Sequence, residues 1–334
     1  MRAYKKAGIT TTVPSEVLFA AGITPVDLNN VYITSEARDD MAAFAEERGF
    51  PTNICTWIKG IYSAVCHSEL DLVVGVVRGD CSSTEKLLEL WSDQDIPVVP
   101  FAFPPAPDAG AMEKEIKDFA RRLGTDVDRA EEYRKELSGV RSLLFKLDEL
   151  TWREGKVSGA ENHLWLVSSS DFCGSPERFE KDLTKFVAEV EKRPADPPHL
   201  PLGYVGVPPV LDDLYETVEK LGARIVFNEV QRRFSMPGGF NSLAEQYTHY
   251  TYPYDTFYRI RDIQNQINLR GLKGIIHYAQ TFCHRQIESM LFKKHLSVPV
   301  LTIEADKPGP VSGSLKTRLE AFLEQLSQSL GPAT

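Results

Sequence analysis

The sequence predicts an α/β fold of two doubly wound halves with parallel sheets and a helical connecting layer. Three observations predict it. Short apolar runs alternate with amphipathic stretches up to residue 103, the alternation resumes after residue 201, and between them Met112 to Arg193 is almost wholly helical in pattern. A β-α-β-α order implies parallel strands, because each crossover lays a helix on a face of the sheet.

Taken in order, VPSEVLFAAG (13–22) reads as a short helix stopped by Gly22, and VDLNNVYI (26–33) as a strand. CTWIKGIYSAVC (55–66) has helical spacing, LDLVVGVV (70–77) is a buried strand, SSTEKLLELWSD (82–93) a helix and PVVPFAF (97–103) a strand. EKEIKDFARRLG, DRAEEYRKELSGVRSLLFKLDEL and PERFEKDLTKFVAEVEKR form the helical layer, their mixed charges marking solvated faces. RPADPPHLP (193–201) is the clearest linker. PLGYVGV, LDDLYETVEKLG, ARIVFNEV, GIIHYA and VPVLTIEA then restore the alternation. The expected domains are 1–150 with Cys55 and Cys81, a helical connector and linker over 151–200, and 201–334 with Cys283. No repeat of solenoid period and no low-complexity segment is present.

A chain of 334 residues suits two domains of about 150 residues each. With 42% apolar and 25% charged residues it belongs among globular proteins, and it is expected in the cytoplasm. The net charge of -9 is dispersed, and no basic stripe is present to neutralise a phosphate backbone, so nucleic acid is not an expected partner. The opening MRAYKKAGITTTVPSEV lacks the apolar core of a secretory signal, and no run approaches the roughly 18 apolar residues of a membrane span. Five scattered cysteines do not make a secreted disulfide scaffold; a reducing compartment keeps them as thiols or metal ligands.

Ligands of open α/β sheets sit beyond the carboxyl ends of the strands. Cys55, Cys81 and Cys283 each fall where a helix begins. Helix-start amides and the dipole stabilise a thiolate, the form that metals require. The competing reading is three small residues in a core. Cys66, near a helix end, and Cys173, between two helices, read as ordinary thiols. No C-x-x-C pair occurs, which argues against a zinc ribbon, a thioredoxin motif or a ferredoxin. A cluster on three single cysteines leaves one iron without a thiolate, open to chemistry or to a bridge.

VPSEVLFAAGITPVDL, CTWIKG, GDCSSTEKL, TFCHRQIE and VPVLTIEADKPGPVSGSLKTRLEAFLEQ, in that order over nearly the full length, resemble the 2-hydroxyacyl-CoA dehydratase D-component and double-cubane cluster family. The resemblance implies two Rossmann-like domains and a four-iron (4Fe-4S) cluster on three cysteines, mapped here to Cys55, Cys81 and Cys283. It also implies an ATP-hydrolysing iron-sulfur activator as partner. That fits the lack of a G-x-x-x-x-G-K-[ST] loop.

Two branches of the family follow. In the double-cubane branch, a homodimer joins two cubanes through a sulfide and reduces a small molecule. In the dehydratases, unlike subunits eliminate water from a 2-hydroxyacyl thioester through a ketyl radical. The short chain, and GDCSST where many dehydratases carry a C-D pair, lean toward the first, an oxygen-sensitive, anaerobic reductase component. A reading of another class is a non-catalytic scaffold or binding subunit with a structural cluster.

Six further features have candidate roles. Glu16 matches the family's N-terminal glutamate and could shuttle protons, or be a first-turn Glu favoured by the dipole. His284 could donate a proton or bond a sulfide, or be a solvated helix-start residue. His277 reads as structural, Asp80 as a helix cap and Arg78 as a surface charge or an offset to cluster charge. HYTYPYDTFYRI (249–260) could line an interface or pack internally.

Overall fold

The computed structural model describes residues 4–196 and 199–330. Pro197 and Pro198 of the expected linker, the first three residues of the N-terminal stretch and residues 331–334 of the expected C-terminal domain lie outside the described residues. The chain forms two compact units: Met1–Leu143, Ser168–Leu183 and Arg233–Asp255 make the first, and Leu144–Val167, Thr184–Arg232 and Thr256–Thr334 the second. The helical stretch and the region after it are therefore shared out between the units.

In the first unit the chain runs β1 (Lys6–Ile9), α1 (Ser15–Ala20), β2 (Thr24–Asp27), α2 (Leu28–Thr34), α3 (Arg38–Glu47), α4 (Thr56–His67), β3 (Leu72–Arg78), α5 (Ser83–Asp93) and β4 (Val98–Ala102). The four strands are all parallel, in the order β2-β1-β3-β4. Leu72, Val73, Val74 and Val76 are wholly buried, as an inner strand covered on both faces requires. α6 (Ala109–Leu123) and α7 (Val127–Glu136) follow, and α1 packs on both. N-caps Asp108 and Asp126 accept from backbone N–H groups in their first turns.

The expected strand over 26–33 is corrected. β2 stops at Asp27, whose carboxylate accepts the Asn29 N–H and so caps a helix; Leu28 and Tyr32, four apart, turn its buried face inward. This helix packs on α4 where Gly60 meets the Tyr32 ring, so close that a methyl group there would overlap it.

α8 (Ser138–Trp152), α9 (Gly159–Val167) and α10 (Pro176–Val190) complete the helical region. β5 (Leu200–Val205), α11 (Leu214–Lys220), β6 (Ala223–Asn228), α12 (Glu229–Phe234), α13 (Leu243–Thr248), α14 (Thr256–Arg270), β7 (Gly274–Gln280), α15 (Glu288–His295), β8 (Val300–Ala305) and α16 (Gly313–Leu330) follow. The second sheet is again all parallel, ordered β6-β5-β7-β8. Numbered within its own sheet, each unit reads 2-1-3-4. Both are Rossmann-like. The second core gathers Val205, Phe227, Ile263, Ile267, Ile275 and Phe292.

Two carboxyl groups are buried together in the first unit. Asp171 accepts from the Asp27 backbone N–H at 2.8 Å and from the Cys173 N–H at 2.9 Å. Burial, and then repulsion from Asp27, push its pKa from 3.8 to about 7. The folded protein thus keeps a proton that the unfolded chain has released. Stability is expected to fall as pH rises from about 4 to about 7, at up to about 1.4 kcal/mol per pH unit. Denaturant titrations across that range should show the decline, and Asp171→Asn should flatten it; an unchanged slope would exclude Asp171 as its source.

Candidate functional site

Each sheet delivers one cysteine from its third strand. β3 ends at Arg78 and Cys81 follows three residues later; β7 ends at Gln280 and Cys283 follows three residues later. Both strands have seven residues, and both cysteines open the same turn. Thr84 N–H donates to the Cys81 carbonyl at 3.1 Å, and Gln286 N–H to that of Cys283 at 3.2 Å. In a 2-1-3-4 sheet the third strand flanks the point where strand order reverses, the ligand-binding end of such folds. Cys55 lies on the connection leading into β3, as the N-cap residue of α4 in extended conformation.

The three helix settings differ from one another. Cys55 occupies the cap position itself, whereas Ser82 caps α5 and Cys81 precedes it by one residue. Cys283 opens a 3₁₀ turn, His284–Ile287, that runs into the eight-residue α15. The backbone field expected at all three cysteines is strongest at the first two. All three thiols are half-buried.

Each turn is pinned by its own contacts. Before Cys55, the buried Lys59 ammonium donates to the Thr52 carbonyl at 3.1 Å and pairs with Glu46 at 2.6 Å. Before Cys81, Gly79 has φ +99, and a Cβ there would lie 2.6 Å from Pro253 Cβ, so only glycine fits under that loop. Arg78 Nε donates to the Phe103 carbonyl, and Arg78 also pairs with Glu115 at 3.2 Å.

After Cys283, an ionic chain runs through the unit. Arg259, wholly buried, binds both oxygens of Glu229 at 2.7 and 2.8 Å and also binds Glu288, which pairs with Arg285 at 2.9 Å. Burial would raise the Glu288 pKa, but Arg259 and Arg285 hold it below the usual carboxylate range.

The other sequence candidates fall as follows. Glu16 is fully buried in the first unit: Arg141 at 2.5 Å, Gln246 Nε2 at 2.8 Å and Tyr247 OH at 2.7 Å all donate to its carboxylate. Burial acts to raise its pKa, yet Arg141 and these bonds keep it below the ordinary value. His284 is exposed on the 3₁₀ turn, its pKa lowered by partial desolvation and by Arg285. His277 is buried inside β7 against the Phe292 ring, 4.9 Å between centroids, and desolvation pulls its pKa to about 4. The cap of α5 is Ser82, next but one to Asp80. Tyr250, Tyr252 and Tyr254 of the aromatic segment are buried, and Tyr250 packs on Phe103 and Phe234. Cys66 is half-buried and Cys173 exposed; burial raises both thiol pKa values.

Lys59, Gly79 and Arg259 were not singled out by the sequence, because charged and glycine residues carry no mark of the distant atoms they meet. The donor chemistry fits an iron-sulfur core: three thiols where helical turns begin, two of them just past strand ends, in turns fixed by buried contacts. Among the described residues no group of three or more His, Cys, Asp or Glu is placed to hold a metal ion. Such a group would mark a mononuclear centre, whereas a cubane takes each thiolate on a different iron.

Two like-ordered parallel α/β units, each with a cysteine three residues past its third strand, define a class of two-domain Rossmann-like proteins. The chain belongs to the 2-hydroxyglutaryl-CoA dehydratase D-component family, whose model matches residues 10–326. It is thereby a component of a 2-hydroxyacyl-CoA dehydratase type of enzyme system, in a family of iron-sulfur proteins that works with an ATP-dependent activator. No curated protein matches the chain. Among the described residues no helix is long and apolar enough to cross a membrane.

Two substitutions probe these supports. Arg259→Met strands the buried Glu229 carboxylate, leaves Glu288 with Arg285, and should cost about 3–5 kcal/mol in denaturant unfolding; a loss under 1 kcal/mol would show that the chain of ions is not what fixes the Cys283 turn. Glu16→Gln should lower stability by about 2–4 kcal/mol while leaving bound iron per folded chain unchanged. Iron loss without a stability change would instead return Glu16 to the chemistry.

Proposed function

We propose that this chain is the cluster-bearing, electron-accepting component of its enzyme system: a cytoplasmic iron-sulfur reductase component in which Cys55, Cys81 and Cys283 hold a four-iron cluster. The observation that carries this reading is the shared position of Cys81 and Cys283, three residues past the third strand of two like-ordered sheets. Such a cluster supplies one-electron chemistry at low potential. The protein's share is to hold the thiolates in fixed turns, to bring helix-start amides beside them at α4 and α5, and to limit water around the core. Electrons come from an ATP-hydrolysing iron-sulfur activator, and a small molecule is the acceptor. In the double-cubane form of this reading, two copies form a homodimer and share a sulfide. Phe282, Ile287 and Met290, exposed at 54%, 70% and 71% beside Cys283, offer apolar surface for a protein partner.

The second reading, a subunit of a 2-hydroxyacyl-CoA dehydratase, is favoured by the description of the matching family. Co-purification with an unlike subunit, or saturable acyl-CoA binding, would select it. A scaffold with a structural cluster predicts that Cys81→Ala unfolds the chain.

Anaerobic purification with iron and sulfide analysis tests the reading. Wild type should bind about four irons per chain. Serine at Cys55, Cys81 or Cys283 should lose most of that iron with circular dichroism unchanged, and serine at Cys66 or Cys173 should not. A metal-free, fully active protein, or full iron retention in all three ligand variants, would refute it.

A further inference from the structure

The last residue of the third strand is Arg78 in one unit and Gln280 in the other, and each stands three places before a cysteine. The two occupy the same register. Arg78 is paired with Ala102 and Gln280 with Ala305, in each case the last residue of the fourth strand. Each side chain then makes the same bond: Arg78 Nε donates to the carbonyl of Phe103, the first residue past β4, and Gln280 Nε2 donates at 2.7 Å to the carbonyl of Asp306, the first residue past β8. What a guanidinium and a carboxamide have in common is a planar N–H donor, so the repeated feature is the bond.

A second observation shows what the bond holds. Between strand end and cysteine each chain passes through a left-handed residue, Gly79 at φ +99 and Phe282 at φ +65. Glycine takes that conformation freely, whereas phenylalanine meets a steric cost there. The Phe282 side chain is exposed and recovers little of that cost by burial. The turn is held instead through the buried Gln280: its carbonyl accepts the Cys283 N–H and Gln286 Nε2, both at 3.0 Å, and its Oε1 accepts the Tyr278 hydroxyl at 2.6 Å. In the first unit the Phe103 N–H donates back to the Arg78 carbonyl at 3.1 Å. Each set of contacts lies within a single unit.

We propose that Arg78 and Gln280 are positioning residues for Cys81 and Cys283: each ties the end of its strand to the loop leaving the next strand, and so fixes the direction in which the cysteine turn departs from the sheet. The inference rests on the cluster reading above. A strand end held only by its own turn can swing, and a thiolate that swings away from its iron releases it sooner. Neither side chain needs to touch the metal. For Arg78 the competing role is an offset to cluster charge, which any cation at that place would fill.

Arg78→Lys separates the two roles, because lysine keeps the charge and carries a methylene where arginine has Nε–H. For the second unit, Gln280→Met is made in a Tyr278→Phe background, so that the tyrosine hydroxyl is not robbed of its acceptor, and is compared with Tyr278→Phe alone. Should that variant not fold, Gln280→Asn, which keeps the amide but stops short of the Asp306 carbonyl, takes its place. Circular dichroism and thermal melting report the fold, hydrogen exchange of the metal-free protein reports residues 79–83 and 281–287, and anaerobic release of iron to a chelator, counted per folded chain, reports ligation. Each variant should keep the wild-type dichroism. Exchange in its own turn and release of iron should both run about tenfold faster, the scale of one lost hydrogen bond, while the turn of the other unit is unchanged. A lower melting temperature with exchange and iron release unaltered would mark ordinary stabilising contacts and overturn the proposal, and wild-type behaviour of Arg78→Lys would overturn it for the first unit in favour of charge. A wild-type chain that takes up no iron would overturn the cluster reading and, with it, the role in ligation.

Discussion

The second unit depends on a cation that water cannot reach. Arg259 is wholly buried, and an unpaired guanidinium there would cost several kcal/mol in lost hydration. Glu229 and Glu288 offset that cost only if both carboxylates reach it together. Their positions are set by different elements: Glu229 starts α12 directly after β6, and Glu288 starts α15 directly after the turn of Cys283. The charge therefore acts as a constraint on geometry. Any shift of the Cys283 turn that pulls Glu288 away leaves Arg259 short of a partner, so the turn is held by the penalty for leaving it. Lys59 plays the corresponding part for Cys55 through the Thr52 carbonyl, on a smaller scale, because its partner Glu46 is 41% exposed and half hydrated.

Much of the fold was legible because it is written in local pattern. LVVGVVR is apolar up to its final Arg78 and GIIHYAQ is apolar but for His277 and Gln280, the near-continuous pattern of a strand covered on both faces. Where the pattern is too short, reading fails. β1 is the four residues KAGI, and α12 and α13 have six residues each, all below the length at which alternation or helical period declares itself. VDLNNVYI was misread for another reason. Its β-branched residues favour a strand, yet Asp27 caps a helix and Leu28 and Tyr32 bury one helical face; capping and packing outweigh propensity.

The candidate cysteines could be picked from the sequence, and the contacts around their turns could not. A thiol where a helix begins is a local feature, so Cys55, Cys81 and Cys283 could be singled out as candidates from the sequence, and the family resemblance proposed them as a set. Arg259, Glu229 and Glu288 are about 30 residues apart along the chain, and nothing local marks them as one network. Glu16 shows the limit from the other side. Its helix-start position was read correctly, but α1 has only six residues, and its carboxylate is held by Arg141, Gln246 and Tyr247. A base that carries three donated hydrogen bonds and sits next to a guanidinium is a poor proton acceptor. Its position near the front of the chain gave no hint of partners more than 120 residues away.

The two halves solve the same problem by different physics. Cys55 and Cys81 lie at the starts of helices of twelve and eleven residues, whose amides and dipole favour a thiolate. Cys283 lacks that field, because a 3₁₀ turn separates it from a helix of only eight residues. Two residues on, Arg285 carries a positive charge that its bond to Glu288 keeps in place. A side-chain charge acts over a longer range than a helix end but must itself be anchored, and Arg259 is that anchor at one remove. The internal repeat thus preserves backbone positions while exchanging the source of stabilisation. Equivalence between the halves shows in strand order and turn geometry far more plainly than in residue identity.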